Sequence, residues 1–240
     1  MGNSKIAVLD AIDRIETAEA SSELLRVFSD FVAHYGFERY FIGQLVNPLN
    51  VPLDKIMYVS DWPDELRARR MKRLAILQDP VVRCALRTKR PFKWSAARKH
   101  ASHIGLKVID ETREFGLNDG YMFPMYSLDT VPGGVSLGAR SLQLSEREIA
   151  EVEIVAQHCY YKLEQVLGPH PYRIQAELSP RETEVIQIAA AGKTNWEISQ
   201  ILGVSEETVK ATVARATRKL NTTNRAHAVA TAIGQGLIMA

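Results

Sequence analysis

The residues in this sequence best spaced for chemistry lie in one run, Ile201–Leu220, which reads ILGVSEETVKATVARATRKL. Its first half carries Glu206 and Glu207, and its second half carries Lys210, Arg215, Arg218 and Lys219 with no acid among them. Acids at a helix start meet the positive end of the helix dipole. An acid-free remainder can approach phosphates and base edges without repulsion. Ala211, Ala214 and Ala216 are small enough to let the backbone come close to a groove wall. Other candidate chemistry falls away. His100-x-x-His103 brings two imidazoles near each other, but no third metal ligand is apparent and a surface loop suits the pair better. AAAGKT ends like a phosphate-binding loop, yet Gln187 stands where glycine is needed and a helix, not a strand, precedes it. No nucleophile with a base and no carboxylate cluster can be assembled, so no catalytic residue and no metal site is assigned. That disfavours the rival reading of an enzyme with a DNA-binding tail.

The elements that must hold this run are marked by caps. Ser179 caps a helix with Pro180 at its first position and Glu182 completing a capping box. Thr194 with Glu197 starts a second helix, Gly203-Val204 turns the chain, and Ser205 caps a third that runs to about Leu220. Two short helices joined by a glycine-containing turn make a helix-turn-helix. Ile198, Leu202, Val204, Val209, Val213 and Leu220 can supply its core, which leaves Lys210, Thr212, Ala214, Arg215 and Arg218 facing outward.

Upstream, Ser145 and Glu148 form another box, and Ile149, Val152, Ile154, Val155, Cys159, Leu163 and Val166 keep helical spacing until Gly168-Pro169 stops the helix. The expected division is therefore a first domain over 1–167, a linker over 168–175 and a second domain over 176–240. Residues 5–35 read as one amphipathic helix, Glu38–Val46 and Asp54–Ser60 as strands, and Trp62–Leu77 as helix. Gly120–Leu128 and Gly133–Arg140 read as a hairpin. The fold class is α+β: an N-terminal α-β-α sandwich and a C-terminal all-α domain of four helices.

Composition bounds the rest. Over 240 residues, 46% hydrophobic and 24% charged, the chain has the make-up of a globular protein. Its formal net charge of +2 gives no global field, so any contact with nucleic acid rests on local placement. Cys84 and Cys159 stand far apart with no C-x-x-C, which argues against a disulfide scaffold or a zinc site. The first residues form no signal-peptide core and MGNSKI does not fit the myristoylation pattern. No apolar run approaches the roughly 18 residues that span a bilayer, so a cytoplasmic protein with no membrane partner is expected.

From Leu178 onward the chain resembles the DNA-binding domain of LuxR-type transcription regulators. Glu182, Gly192, Ile198, Leu202, Ser205, Thr208, Val209, Lys219, Leu220, Asn224, Arg225 and Ala228 occupy that family's signature positions. One departure is Thr212, where the family commonly has histidine. The resemblance implies a homodimer reading double-stranded DNA at a two-fold symmetric site. Lys210, Thr212 and Arg215 lead the candidate contacts, with Thr194, Ser205, Thr208, Arg218 and Lys219 beside them. The helix from Arg225 would help the domains pair, and the helix from Ser145 to Leu167 is the candidate dimer surface of the first domain.

The first domain lacks the acidic cluster and doubly wound pattern of a phosphoacceptor receiver. Trp62-Pro63, Asp79-Pro80-Val81, Trp94, Phe115-Gly116-Leu117 and Gly120 instead resemble the autoinducer-binding domain of quorum-sensing LuxR-type receptors, over roughly residues 20 to 165. The ligand so implied is an N-acyl homoserine lactone, a regulatory signal rather than a cofactor. Asp79 is then placed to accept the amide N–H, Trp94 to wall the lactone and Ser136 to donate to the acyl carbonyl. Asp79 could instead start the next helix, and Trp94 could be plain core. Two positions depart from the family, Leu66 for tryptophan and Arg70 for tyrosine. Residues 62, 66 and 70 share one helical face, so both are pocket-wall changes if the alignment holds. Leucine donates no hydrogen bond, whereas Arg70 either donates into the pocket or joins Arg67, Arg69, Lys72 and Arg73 on a solvated basic face. The alternative left open is a regulator that binds a different small molecule, or none.

Overall fold

Strand alternation and well-placed glycines set up the first half of the molecule. The computed structural model describes residues 2–45, 58–70, 73–126, 132–167 and 178–239. The chain divides into two compact units, with the described residues through Leu167 in the first and those from Leu178 in the second. The expected linker over 168–175 lies outside the described residues.

The first unit is built on β1 (Arg39–Gln44), β2 (Tyr58–Ser60), β3 (Phe92–Lys93), β4 (Asp119–Met125) and β5 (Gly133–Ala139). They form one antiparallel sheet in the order β2-β1-β5-β4-β3, and β4 with β5 is the expected hairpin. Successive side chains leave opposite faces of a strand. Tyr121, Phe123 and Met125 of β4 and Val135, Leu137 and Ala139 of β5 therefore share one face with Ile42 of β1. That face packs on α1 (Gly2–Thr17), α2 (Ser21–Ala33) and α8 (Glu146–Leu167) through Ile15, Leu24, Phe28, Val155, Tyr160 and Leu163. Met122 faces the other way, into a second apolar cluster with Trp62, Leu66, Val81, Trp94 and Ile109. That layer is made by α3 (Asp64–Arg70), α4 (Arg73–Gln78), α5 (Pro80–Ala85), α6 (Trp94–Ala97) and α7 (His103–Glu114). The result is the α-β-α sandwich that the pattern implied.

Two expectations change here. The single helix over 5–35 is two helices: Ala20 has extended backbone at φ −117°, ψ 140°, and the chain folds back so that α1 and α2 pack on each other and on α8. A straight rod of that length could not lay both stretches against one helix. The box at Ser145 forms, with Ser145 N–H donating to Glu148 Oε2 at 2.8 Å, but Ile154 does not join the buried stripe of α8. It is exposed on the outer side, and Ala156 and Tyr160 take up the packing instead.

The second unit contains α9 (Pro180–Ala190), α10 (Asn195–Leu202), α11 (Glu206–Lys219) and α12 (Arg225–Gly234). Its caps match the sequence signals. Ser179 and Thr194 each close a full capping box with Glu182 and Glu197. Gly203 ends α10 in the left-handed region at φ 63°, where a side chain would be strained. Ser205 accepts from Thr208 N–H to start α11, and Asn224 does the same for α12 through His227 N–H. Val185, Ile186, Ile198, Val209, Val213, Ala216, Leu220, Ala228 and Ala232 fill the core.

Candidate functional site

In the first unit a cleft opens between the sheet and its second helical layer, with a volume of about 880 Å³ counting its open mouth. Its floor comes from strand register. Phe41 pairs with Ser136, and Ser136 with Met122, so three adjacent strands present one row of side chains to the cleft. The neighbouring row pairs Gly43 with Gly134, and the missing side chain at Gly134 makes room for Met122, whose Sδ would lie 2.8 Å from a Cβ there. The third row pairs Gly120 with Gly138 and serves Trp94. A Cβ on Gly120 would come within 2.4 Å of Trp94 Cε2, and one on Gly138 within 2.7 Å of Trp94 Cη2, so the two glycines form a flat seat for the indole. Trp94 is buried there and its Nε1–H donates to Ser136 Oγ at 3.1 Å. A hydroxyl that accepts still has its own hydrogen to give. Trp94 is therefore core and cleft wall at once.

The wall opposite is set by α3 and the start of α5. Trp62, Leu66 and Arg70 fall on one face and are all buried, at 7%, 0% and 8% exposure. This places Arg70 off the solvated basic face that was one of its two options. Its Nη1 pairs with Asp79 Oδ2. Asp79 Oδ1 accepts from Val81 N–H at 2.8 Å and so caps α5, with Pro80 at the first helical position. Starting a helix and facing a ligand are compatible here, because one carboxylate has lone pairs for both and for Arg70. The Arg70 guanidinium also lies 5.8 Å from the centre of the Trp62 ring, within cation–π range. Trp62, Arg70, Asp79, Trp94 and Ser136 all line the cleft. Leu66 does not reach it and instead fills the space behind the wall in the apolar cluster. The lining also includes Phe41, Ile76, Val82, Thr112 and Met122, which no motif singled out. The signal for Phe41 and Met122 was their strand parity with Ser136.

In the second unit α11 turns its basic side outward, with Lys210, Ala211, Ala214, Arg215, Arg218 and Lys219 exposed. Thr212 is not among them, contrary to expectation. It is 1% exposed, its Oγ1 donates to Thr208 O at 2.8 Å, and it accepts from Arg215 Nη2 at 2.9 Å. It occupies the same inward face as Val209, Val213 and Ala216. Ala216 is likewise inside, packed in the core, so only Ala211 and Ala214 flatten the outer face. Lys210 lies 3.6 Å from Glu206 and 3.7 Å from Glu207. Lys219 donates to the buried Glu182 at 2.7 Å, and Arg215 Nε stands 3.8 Å from the same carboxylate. Burial pushes the Glu182 carboxyl up, but hydrogen bonds from Lys219 and Ser179 outweigh it and hold it below its ordinary value. Thr194, Ser205 and Thr208 are exposed and bound up in the caps that open α10 and α11. His100 and His103 are exposed, and no group of three metal-binding side chains occurs among the described residues.

A sensor cleft ahead of a helix-turn-helix is the arrangement that comparison with known proteins also finds. Residues 20–163 match the autoinducer binding domain, and residues 176–232 match the domain described as bacterial regulatory proteins, luxR family. The chain is 34% identical over 235 residues to the HTH-type quorum sensing-dependent transcriptional regulator RpaR of Rhodopseudomonas palustris, covering 96% of this chain and 94% of that one. The chain belongs to the LuxR family. It is a DNA-binding, quorum-sensing transcriptional regulator. The transcriptional activator BjaR1 of Bradyrhizobium diazoefficiens is a second relative, 30% identical over 96% of this chain and 95% of its own length. The Escherichia coli SdiA crystal structure shares the fold, with a TM-score of 0.65 and 19% identity over 97% of this chain and 98% of SdiA. Because the sensor half matches as well as the DNA-binding half, the alternative of a LuxR-family regulator without a lactone is not favoured.

Proposed function

We propose that the first unit encloses an N-acyl homoserine lactone and that the second, as one half of a homodimer, reads a two-fold symmetric DNA site through α11. The observation that carries the lactone is a largely apolar cleft lined by two polar pairs, Arg70 with Asp79 and Trp94 with Ser136, with Gln44 and Thr112 also at its wall. An amide N–H buried without an acceptor costs about 1–3 kcal/mol. Asp79 accepts that N–H, Ser136 O–H meets the acyl carbonyl, and the Trp94 indole walls the ring. The acyl chain lies along Ile76, Val81, Val82 and Met122. A ligand that binds only the folded unit stabilises it by about 2.7 kcal/mol at a hundredfold excess over Kd. Exposed Ile154 and Leu167 on α8 and Leu9 on α1 supply apolar surface for the partner copy. Two α11 helices in a symmetric dimer then read half-sites about one helical turn apart, roughly 34–36 Å. Lys210, Arg215 and Arg218 supply phosphate and base contacts, while Thr194, Ser205 and Thr208 offer hydroxyls near the backbone. No helix among the described residues is long and apolar enough to cross a membrane. A regulator that reads DNA acts where the DNA is, in the cytoplasm.

Thermal unfolding of the full chain with N-acyl homoserine lactones bearing straight, branched and aromatic acyl groups tests this reading. At least one should raise the melting temperature and increase affinity for a two-fold symmetric site. Asp79→Asn, which keeps the cap, should weaken that lactone about five- to 150-fold. If no lactone shifts the parent, the lactone reading falls.

A further inference from the structure

Two side chains that line the cleft each carry a buried donor with no partner among the described residues. Trp62 Nε1 and Arg70 Nε are both buried without a hydrogen-bond partner, on side chains that line the cleft and are more than nine-tenths buried. They are neighbours, since the guanidinium lies 5.8 Å from the Trp62 ring centre. Arg70 spends Nη1 on Asp79, which leaves Nε over. Buried donors are nearly always paired in folded proteins, so two such donors at one cleft point to an acceptor supplied from outside. Among the described residues that line the cleft, Arg70 and Asp79 are the charged ones, and they cancel each other. An anionic head group would enter with no counter-charge, and an isolated buried charge is expensive.

We propose that Trp62 and Arg70 together form the acceptor-binding corner of the cleft, taking a neutral carbonyl oxygen between Trp62 Nε1–H and Arg70 Nε–H, and that this corner selects the closed lactone over its ring-opened acid. The inference rests on the lactone reading above and names the residues that recognise the ring. Leu66, the position where the family places an indole donor, lies behind the wall and cannot do this. Trp62, four residues earlier and just ahead of α3, has the indole that can. Both nitrogens are covered by neighbouring side chains, so the oxygen reaches them through a small rotation of the indole or the guanidinium. The acidic partner has a defined part as well. Asp79 holds the Arg70 charge through Nη1 and so leaves the Nε edge for a neutral acceptor.

The test uses the full chain and two substitutions that each remove one donor and little else. Trp62→Phe keeps an aromatic wall without the N–H, and Arg70→Lys keeps a cation for Asp79 without Nε. Three probes share the acyl group of whichever lactone binds the parent best: the lactone, its ring-opened N-acyl homoserine, and the N-acyl-3-aminotetrahydrofuran that lacks the ring carbonyl. Affinities come from calorimetric titration. The parent should bind the lactone about five- to 150-fold more tightly than the tetrahydrofuran and bind the ring-opened acid more weakly still. Each variant should lose much more affinity for the lactone than for the tetrahydrofuran, so the ratio between the two probes collapses. A variant that merely unsettles the cleft would weaken both probes equally and leave the ratio intact. The proposal is overturned if both variants keep the parent's ratio, or if the parent binds the tetrahydrofuran as well as the lactone. A parent that binds no lactone overturns the underlying reading and this proposal with it.

Discussion

Replacing Asp79 with asparagine separates the two duties of that side chain. Asparagine caps a helix about as well as aspartate, so Val81 N–H keeps its acceptor and only the charge facing Arg70 is lost. The side chains of Arg70 and Asp79 are 9% and 13% exposed, so the guanidinium is left nearly dry and uncompensated. Removing one member of a buried pair costs about 3–5 kcal/mol. At about 2–4 °C per kcal/mol for a unit of this size, the transition should fall by about 6–20 °C. Asp79→Ala should cost about 0.5–2 kcal/mol more, because the cap goes too. Arg70→Met strands the carboxylate and should be of similar severity. The double variant Arg70→Met with Asp79→Asn buries neither charge, and replacing a buried pair by uncharged groups is often close to neutral. Denaturant unfolding of the full chain measures this through Trp62 and Trp94, both buried in the first unit, in a Trp196→Phe background that silences the exposed indole of the second. If the two single losses simply add in the double variant, to within about 0.5 kcal/mol, the pair is not coupled and the account of the cleft's polar corner is wrong.

Leu66→Trp should weaken lactone response and destabilise the first unit by about 1–3 kcal/mol, because Leu66 is fully buried behind the cleft wall and the larger ring overpacks it; a stronger response in a reporter assay would place residue 66 at the ring after all. On DNA, Lys210→Ala and Arg218→Ala should each lower the slope of log affinity against log salt by about one unit. Lys219→Ala should act mainly on the stability of the second unit, since Lys219 is bound to buried Glu182; unchanged melting with a lost phosphate contact would reverse that assignment. The second unit should also be acid-labile with a definite sign. Glu182 lies below its ordinary value and Glu197 is held down to about 2, the latter by hydrogen bonds from Thr194 and Lys193. A depressed carboxylate contributes stability above its unfolded value and loses it as pH falls through the folded one. Circular dichroism melts should therefore be level above about pH 5 and decline from there toward about pH 2, and Glu182→Gln should flatten part of that decline.

The second unit was legible almost to the residue because its signals are local. Ser179, Thr194 and Ser205 each sit at a helix start and each makes the cap its type allows. What the sequence did not show is which side of a helix wins when a polar residue borders the core. Thr212 can bury because its hydroxyl finds Thr208 O one turn back, a compensation invisible in a pattern of apolar spacings. Ile154 shows the converse, an apolar residue left outside because α8 has Val152, Val155, Ala156 and Cys159 to fill the same contact. The break at Ala20 carries no side-chain cap and no glycine or proline, so nothing local announced it. In the cleft, Asp79 and Trp94 were visible by resemblance, whereas Phe41 and Met122 depended on strand register, which is a non-local property.

Arg70 is the residue that sequence alone could least place, since a guanidinium is at home on a wet helix face and costly inside. What decides its position is the partner nine residues on, where Asp79 is already fixed by capping α5. A carboxylate held by a backbone N–H cannot swing away to solvent, so it offers the guanidinium a stationary counter-charge with little further ordering to do. Trp62 then stacks beside the cation, and Leu66 closes the space behind with no polar atom to satisfy. The two departures from the family pattern are in this sense one substitution. An indole at position 66 would crowd the wall that holds Arg70, and a tyrosine at position 70 would leave Asp79 without a cation. The polar corner combines leucine behind, arginine across from Asp79, and the indole of Trp62 just ahead of α3.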